Sequence, residues 1–148
     1  MTMLYWCIIG YLIILLQTVI HEFAHLTVAK FFHIPVKSIS IGWKKCAIKF
    51  KNIYFSPILL GGHVEVFEKE LKTKSPLKII AFFEAGAIAN LFFSFLPMFF
   101  LRNVYTFVWL SLGVSFALSA NLPIESSDVY NAFVTLKKRN QNNHEYVK

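Results

Sequence analysis

The chain has 148 residues, enough for one domain or a small bundle. Hydrophobic residues make up 56% of it and charged residues only 16%, which excludes an ordinary soluble domain and points to a membrane protein. The net charge of +7 does not indicate nucleic acid, because the lysines flank apolar segments and form no groove pattern; basic residues in such places are topology signals. Cys7 and Cys46 lie far apart and lack metal-site spacing, so no disulfide framework is expected, and both read as small buried or interfacial side chains.

From Met1 to Ile20 there is no charged residue, and the helical pattern continues through His25 to about Phe32. Twenty residues at about 1.5 Å each cross the roughly 30 Å hydrocarbon core of a bilayer. No basic n-region or A-x-A-like site precedes or follows this stretch, so it is expected to be retained as a first span over 4–32. The span is almost complete where His21-Glu22-Phe23-Ala24-His25 occurs. Residues four apart share one face of a helix, so His21 and His25 can bind one Zn²⁺. Glu22 between them is placed to take a proton from a water that the metal activates. Two chance histidines and a glutamate in or beside hydrocarbon would carry a desolvation cost with no task, which favours the metal reading.

His33-Ile34-Pro35 stops the helix, since proline cannot continue it. Val36 to Ile41 and Ala47 to Lys51 alternate apolar and polar residues and read as strands, with a turn over Gly42 to Lys45. Ile53 to Leu60 is apolar and leads into Gly61-Gly62, after which Val64-Glu65-Val66 alternates again. The region 36–66 is therefore expected to form a small hairpin or sheet at the membrane face. Glu68 to Lys74 is charged and expected to be helical.

The second span is expected over 77–100, with Glu84 inside it and the small residues Ala85-Gly86-Ala87 and Ala89, which allow close helix approach in lipid. Arg102 and Asn103 make a short turn. A third span over 104–121 follows, ended by Asn121-Leu122-Pro123. A short helix is expected over Val129 to Arg139, with a frayed polar tail over 140–148. The fold class is thus an α-helical membrane protein with three transmembrane helices and a small sheet after the first. Of the lysines and arginines, ten lie between Lys30 and Lys78 and four in the C-terminal segment, against only Arg102 between the second and third spans. The positive-inside rule places the N-terminus outside and the C-terminus in the cytosol.

Two histidines leave a catalytic zinc site one protein ligand short. The third span ends on the same side as His21 and His25 and is followed by Asp128, the only aspartate in the chain. Asp128 is the expected third metal ligand. Glu84, roughly 10 Å along the second span, is the competitor, either as a ligand or as a partner for an imidazole N–H. His33, His63 and His144 read as ordinary surface or interfacial histidines.

Four stretches together resemble the site-2 protease family of intramembrane zinc metalloproteases. His21 to His25 matches its zinc motif. Ser56-Pro57-Ile58-Leu59-Leu60-Gly61-Gly62-His63-Val64 resembles its P-x-G-G-[aromatic/His]-V stretch. Ala85 to Asn90 resembles A-G-P-x-x-N, with Ala87 in place of proline. Asn121 to Asp128 resembles N-x-x-P-x-x-x-D-G, with one residue fewer and Val129 in place of glycine. The resemblance covers most of residues 14–131 and implies a single membrane metalloprotease domain over 1–148, one Zn²⁺ held by His21, His25 and Asp128, and Glu22 as the catalytic base. It also nominates Asn90, Asn121, Gly61 and Gly62 for contact with substrate or oxyanion. The edge of the strand region near Ile58 to Val66 would receive an unwound substrate. The implied partners are the lipid bilayer, a transmembrane or membrane-associated peptide substrate and a separate regulatory membrane protein, in a bacterial cell membrane. Nucleic acid is not among them, and oligomeric state is not legible. A second reading is a catalytically degenerate relative that serves as a membrane-bound regulatory or immunity protein.

Overall fold

The computed structural model describes residues 2–43, 46–59, 61–100, 104–122, 124–125 and 127–145. The order of elements is α1 (Thr2–Phe31), β1 (Val36–Ile41), β2 (Ile48–Phe50), β3 (Ile53–Phe55), β4 (Gly62–Val66), α2 (Glu68–Thr73), α3 (Pro76–Phe95), α4 (Val104–Asn121) and α5 (Asp128–Glu145), with a 3-10 turn at Leu96–Phe99. The protein is mostly helical. Two helices, Met3–Phe31 and Pro76–Phe99, are long and apolar enough to cross a membrane, and α4 adds a shorter apolar helix. The turn expected at Arg102 and Asn103 lies outside the described residues, as do Lys44, Lys45, Leu60, Pro123 and Ser126 of the expected turns.

Helix α1 ends as its sequence demands. His33 takes a positive φ of 54°, and the Ile34 N–H still bonds back to Ala29 while Pro35 commits the chain to extended backbone. Helix α3 packs along both α1 and α4, and α5 folds back over the inner ends of α3 and α2. Ala29, Ile34, Val64, Leu71, Ile79, Phe82, Phe83 and Ala132 form the hydrophobic core at this end. That core is where α1 and α3 meet the sheet, α2 and α5.

The sheet has four strands in the order β2-β3-β1-β4. The alternating segments 36–41 and 47–51 are indeed strands, but the turn between them does not make them a hairpin. Strand β3 lies between them, parallel to β1 (Ile39 opposite Ile53) and antiparallel to β2 (Phe50 opposite Ile53). Period-two alternation fixes which face a side chain takes and leaves the choice of partner to the rest of the sheet. Strand β4 runs antiparallel to β1 and forms one edge.

Two further differences are local. Helix α5 starts at Asp128 and continues to Glu145, through most of the tail expected to fray, because neither glycine nor proline interrupts it. Cys7 and Cys46 are both free, and both are exposed rather than buried.

Candidate metal centre

His21 and His25 stand one turn apart on α1, as their spacing requires. Asp128 reaches them from the first turn of α5. Val129 follows without a positive φ, so the helix start needs no glycine there. His21 Nε2 lies 3.1 Å from His25 Nε2 and 3.1 Å from Asp128 Oδ2, and His25 Nε2 lies 3.6 Å from the same oxygen. Among the described residues these three form a group whose ligand atoms all fall within 4.8 Å of one another.

The donor set fits a zinc ion. Ligand bonds of about 2.0–2.1 Å in a tetrahedron put neighbouring ligand atoms about 3.3 Å apart, close to the three separations found. The ring nitrogens are also correctly presented. His25 Nδ1–H donates to the Phe82 carbonyl at 2.7 Å, which leaves Nε2 as a lone pair facing the other two donors. Asp128 would bind as its carboxylate, as a metal ligand must.

Glu22 points into the same region from α1. Its side chain is 3% exposed, and Oε2 has no hydrogen-bond partner among the described residues. Buried carboxyl oxygens are normally hydrogen-bonded, so this atom is available to a water or substrate in the adjoining cavity. Strand β4 presses against it: a Cβ added at Gly62 would collide with the Glu22 carboxylate, and one added at Gly86 of α3 would collide with the His21 imidazole. These glycines allow two backbones to close around the cluster. A cavity of about 270 Å³ opens beside it, lined by His21, Glu22, His25, Gly61, Gly62 and Asp128 among others.

Of the residues nominated from sequence, His21, Glu22, His25, Asp128, Gly61 and Gly62 come together. Asn90 and Asn121 are not among the residues that line this cavity. Asn121 is exposed, and its amide donates to the Ala117 carbonyl one turn back. Asn90 is fully buried behind His21, its amide nitrogen 3.3 Å from Nδ1. Glu84 is half-buried on α3 and does not line the cavity either. The Phe82 carbonyl carried no sequence signal, being backbone. Gly86 did, within the small-residue cluster, but as a packing feature only.

The sequence matches the model of peptidase family M50 over residues 9–146. It is also 32% identical over 132 aligned positions to a protein of Borreliella burgdorferi described as "Putative zinc metalloprotease". The alignment covers 74% of this chain and 29% of that relative's length, so the chain spans less than a third of it.

Proposed function

The chain belongs to peptidase family M50, of the site-2 protease type, and from that premise we propose that it is a membrane-embedded zinc endopeptidase. It hydrolyses a peptide bond of a transmembrane or membrane-proximal substrate near the cytosolic face. The observation that carries this reading is the convergence of His21 and His25 from α1 and Asp128 from α5 on one point, beside a buried Glu22 with an unpaired oxygen.

His21, His25 and Asp128 would hold a zinc ion, which when bound would supply Lewis acidity to a water and to the scissile carbonyl. Glu22 Oε2 accepts the proton of the attacking water and delivers it to the leaving amine. Phe82 keeps His25 in the ligating tautomer through its carbonyl. Gly62 lets β4 lie against Glu22, and β4 is an edge strand. A substrate segment added along that edge would satisfy its backbone groups in a low-dielectric setting and lie across the cavity.

Three spans, α1, α3 and α4, with the N-terminus outside and the C-terminus in the cytosol, suit the lysine and arginine distribution. They also suit the apolar exposure of the helices: Leu4, Ile8, Leu12, Leu16, Phe92 and Phe107 all face outward. A separate regulatory membrane protein would supply control.

The test uses wild-type protein and Glu22→Gln in detergent, with zinc content and cleavage of membrane peptides measured on both. Both should hold about one zinc, and only wild type should cleave. Equal processing by the two proteins would overturn the enzyme reading and leave that of a zinc-binding regulatory relative.

A further inference from the structure

The seam between α1 and α3 is a ladder of polar contacts at helical spacing. The helices run antiparallel in sequence along it, with 17, 21 and 25 on α1 facing 94, 90 and 82 on α3. His25 bonds to the Phe82 carbonyl, His21 meets Asn90, and Gln17 Nε2 lies 3.5 Å from Ser94 Oγ. Ser94 in turn donates to the Asn90 carbonyl. The chemistry proposed above uses the two histidines and the Phe82 carbonyl of the inner rungs. It gives no role to the outermost, although Gln17, Ser94 and Asn90 are each completely buried.

Two acceptors in this seam are orphans among the described residues, Gln17 Oε1 and Asn90 Oδ1. One rearrangement accounts for both. A neutral imidazole that ligates through Nε2 carries its hydrogen on Nδ1 and needs an acceptor there. The group facing His21 Nδ1 is the Asn90 amide, with its nitrogen nearest. The two ends of an amide are nearly isosteric, so a half-turn brings the orphaned Oδ1 onto Nδ1–H. The displaced NH2 then needs acceptors of its own. On the outer rung, Gln17 Oε1 is the acceptor left unpaired, and Ser94 ties that rung to the Asn90 backbone through its hydroxyl. Helix α4 makes room for this rung through Gly113, where a Cβ would collide with the Ser94 hydroxyl and come within 2.7 Å of Gln17 Nε2.

We propose that Gln17 and Ser94 are positioning residues for zinc. As the outer rung of the α1–α3 ladder, seated against Gly113, they hold the Asn90 amide with its oxygen toward His21. This rests on the zinc reading above. It extends the machinery a full turn beyond the ligands and makes the packing of α4 part of metal affinity.

The experiment is a zinc titration against a competing chelator on the full chain in detergent, with thermal unfolding of the chelator-stripped protein alongside. Gln17→Leu and Ser94→Ala should each weaken zinc about tenfold, the size of effect seen when outer partners of a ligating histidine are removed. The stripped Gln17→Leu protein should unfold close to wild type, because leucine fills the space and the buried amide leaves together with its own unpaired oxygen. Gln17→Glu, isosteric and still offering a carbonyl, should recover most of the affinity. Zinc affinity in Gln17→Leu equal to that of wild type would overturn this proposal alone. So would a loss of affinity that is matched by an earlier unfolding of the stripped protein and not rescued by Gln17→Glu. Wild-type protein that binds no zinc would overturn the parent reading as well, and the same titration reports it.

Discussion

The outer part of the helical bundle and the inner end that carries the sheet are built on opposite rules. In the outer part polar side chains are buried, Gln17, Thr18, Asn90, Ser94 and Thr106, beside the apolar Ile13 and Ala117. The exposed ones are apolar, with Leu12 at 54% and Phe92 at 65%. The inner end buries an apolar cluster and exposes several charged residues, although Ser38 and Ser40 are buried there and Ile48 and Phe50 are exposed. Ile34, Val64, Leu71 and Ile79 are buried, while Lys30, Lys37, Glu68 and Lys138 face out. A single solvent cannot favour both arrangements. With the membrane topology proposed above, hydrocarbon around the outer part and water around the inner end would favour each in its place. His21, Glu22 and His25 sit where one rule gives way to the other. There buried polar chemistry has ordered neighbours on one side and access to water on the other.

The comparison breaks first at the glycines that close around the site. Gly86→Val should drive the His21 ring off its position and weaken zinc on the order of 100-fold, measured by chelator competition. Gly62→Val should instead displace the Glu22 carboxylate, with cleavage falling about 100-fold while zinc stays bound.

Next come the two kinds of surface. Leu71→Ala, in the inner core at 2% exposure, should cost about 2–5 kcal/mol of stability in a detergent unfolding assay. Leu12→Ala, in the outer part, should cost under about 0.5 kcal/mol. Phe92→Arg should cost about 2.5–3.5 kcal/mol in a membrane-insertion assay, although the same change on a water-facing surface would be near neutral. Equal costs for the two leucines would remove the two-solvent account.

The smallest effect lies at the aqueous rim. Hydrogen bonds from Lys72 and Lys138 at 2.9 and 3.1 Å hold the Glu68 carboxyl below its ordinary value of 4.5. A depressed carboxyl stabilises the fold above its unfolded value and loses that contribution as pH falls through the folded one. Glu68→Gln should therefore lower the thermal midpoint of stripped protein at pH 7 by the equivalent of about 0.2–1 kcal/mol. The gap should narrow in high salt and vanish at acid pH.

Much of this was legible residue by residue. His33-Ile34-Pro35 marks the end of α1, and the alternation at 36–41, 47–51 and 64–66 marks strands. Asp128 was reachable by topology, since it follows the third apolar segment on the side where the histidines lie. The insertion of β3 between β1 and β2 was not legible, because alternation is a property of one strand and pairing is a property of two. The buried serines of β1 were equally hidden. Ser38 and Ser40 look like solvent-facing positions, yet their hydroxyls turn to Glu65 at 2.6 Å and to the His63 carbonyl at 3.3 Å. Gln17 lies four residues before His21, so the same helix-face rule that paired the histidines would have found it.

The amino-acid order alone determined the features that depend on near neighbours: the apolar lengths, the charge bias at their ends, and a glutamate between two histidines on one helical face. These follow from backbone geometry over a few turns and from transfer free energy summed along a segment. The tertiary structure alone decided which oxygen and which nitrogens meet across 107 residues of chain, that Phe82 orients His25, and that Asn90 stands behind His21 instead of facing the cavity. Such contacts depend on where helices cross and how closely glycines let them approach, and that geometry is set by the packing of the whole chain at once.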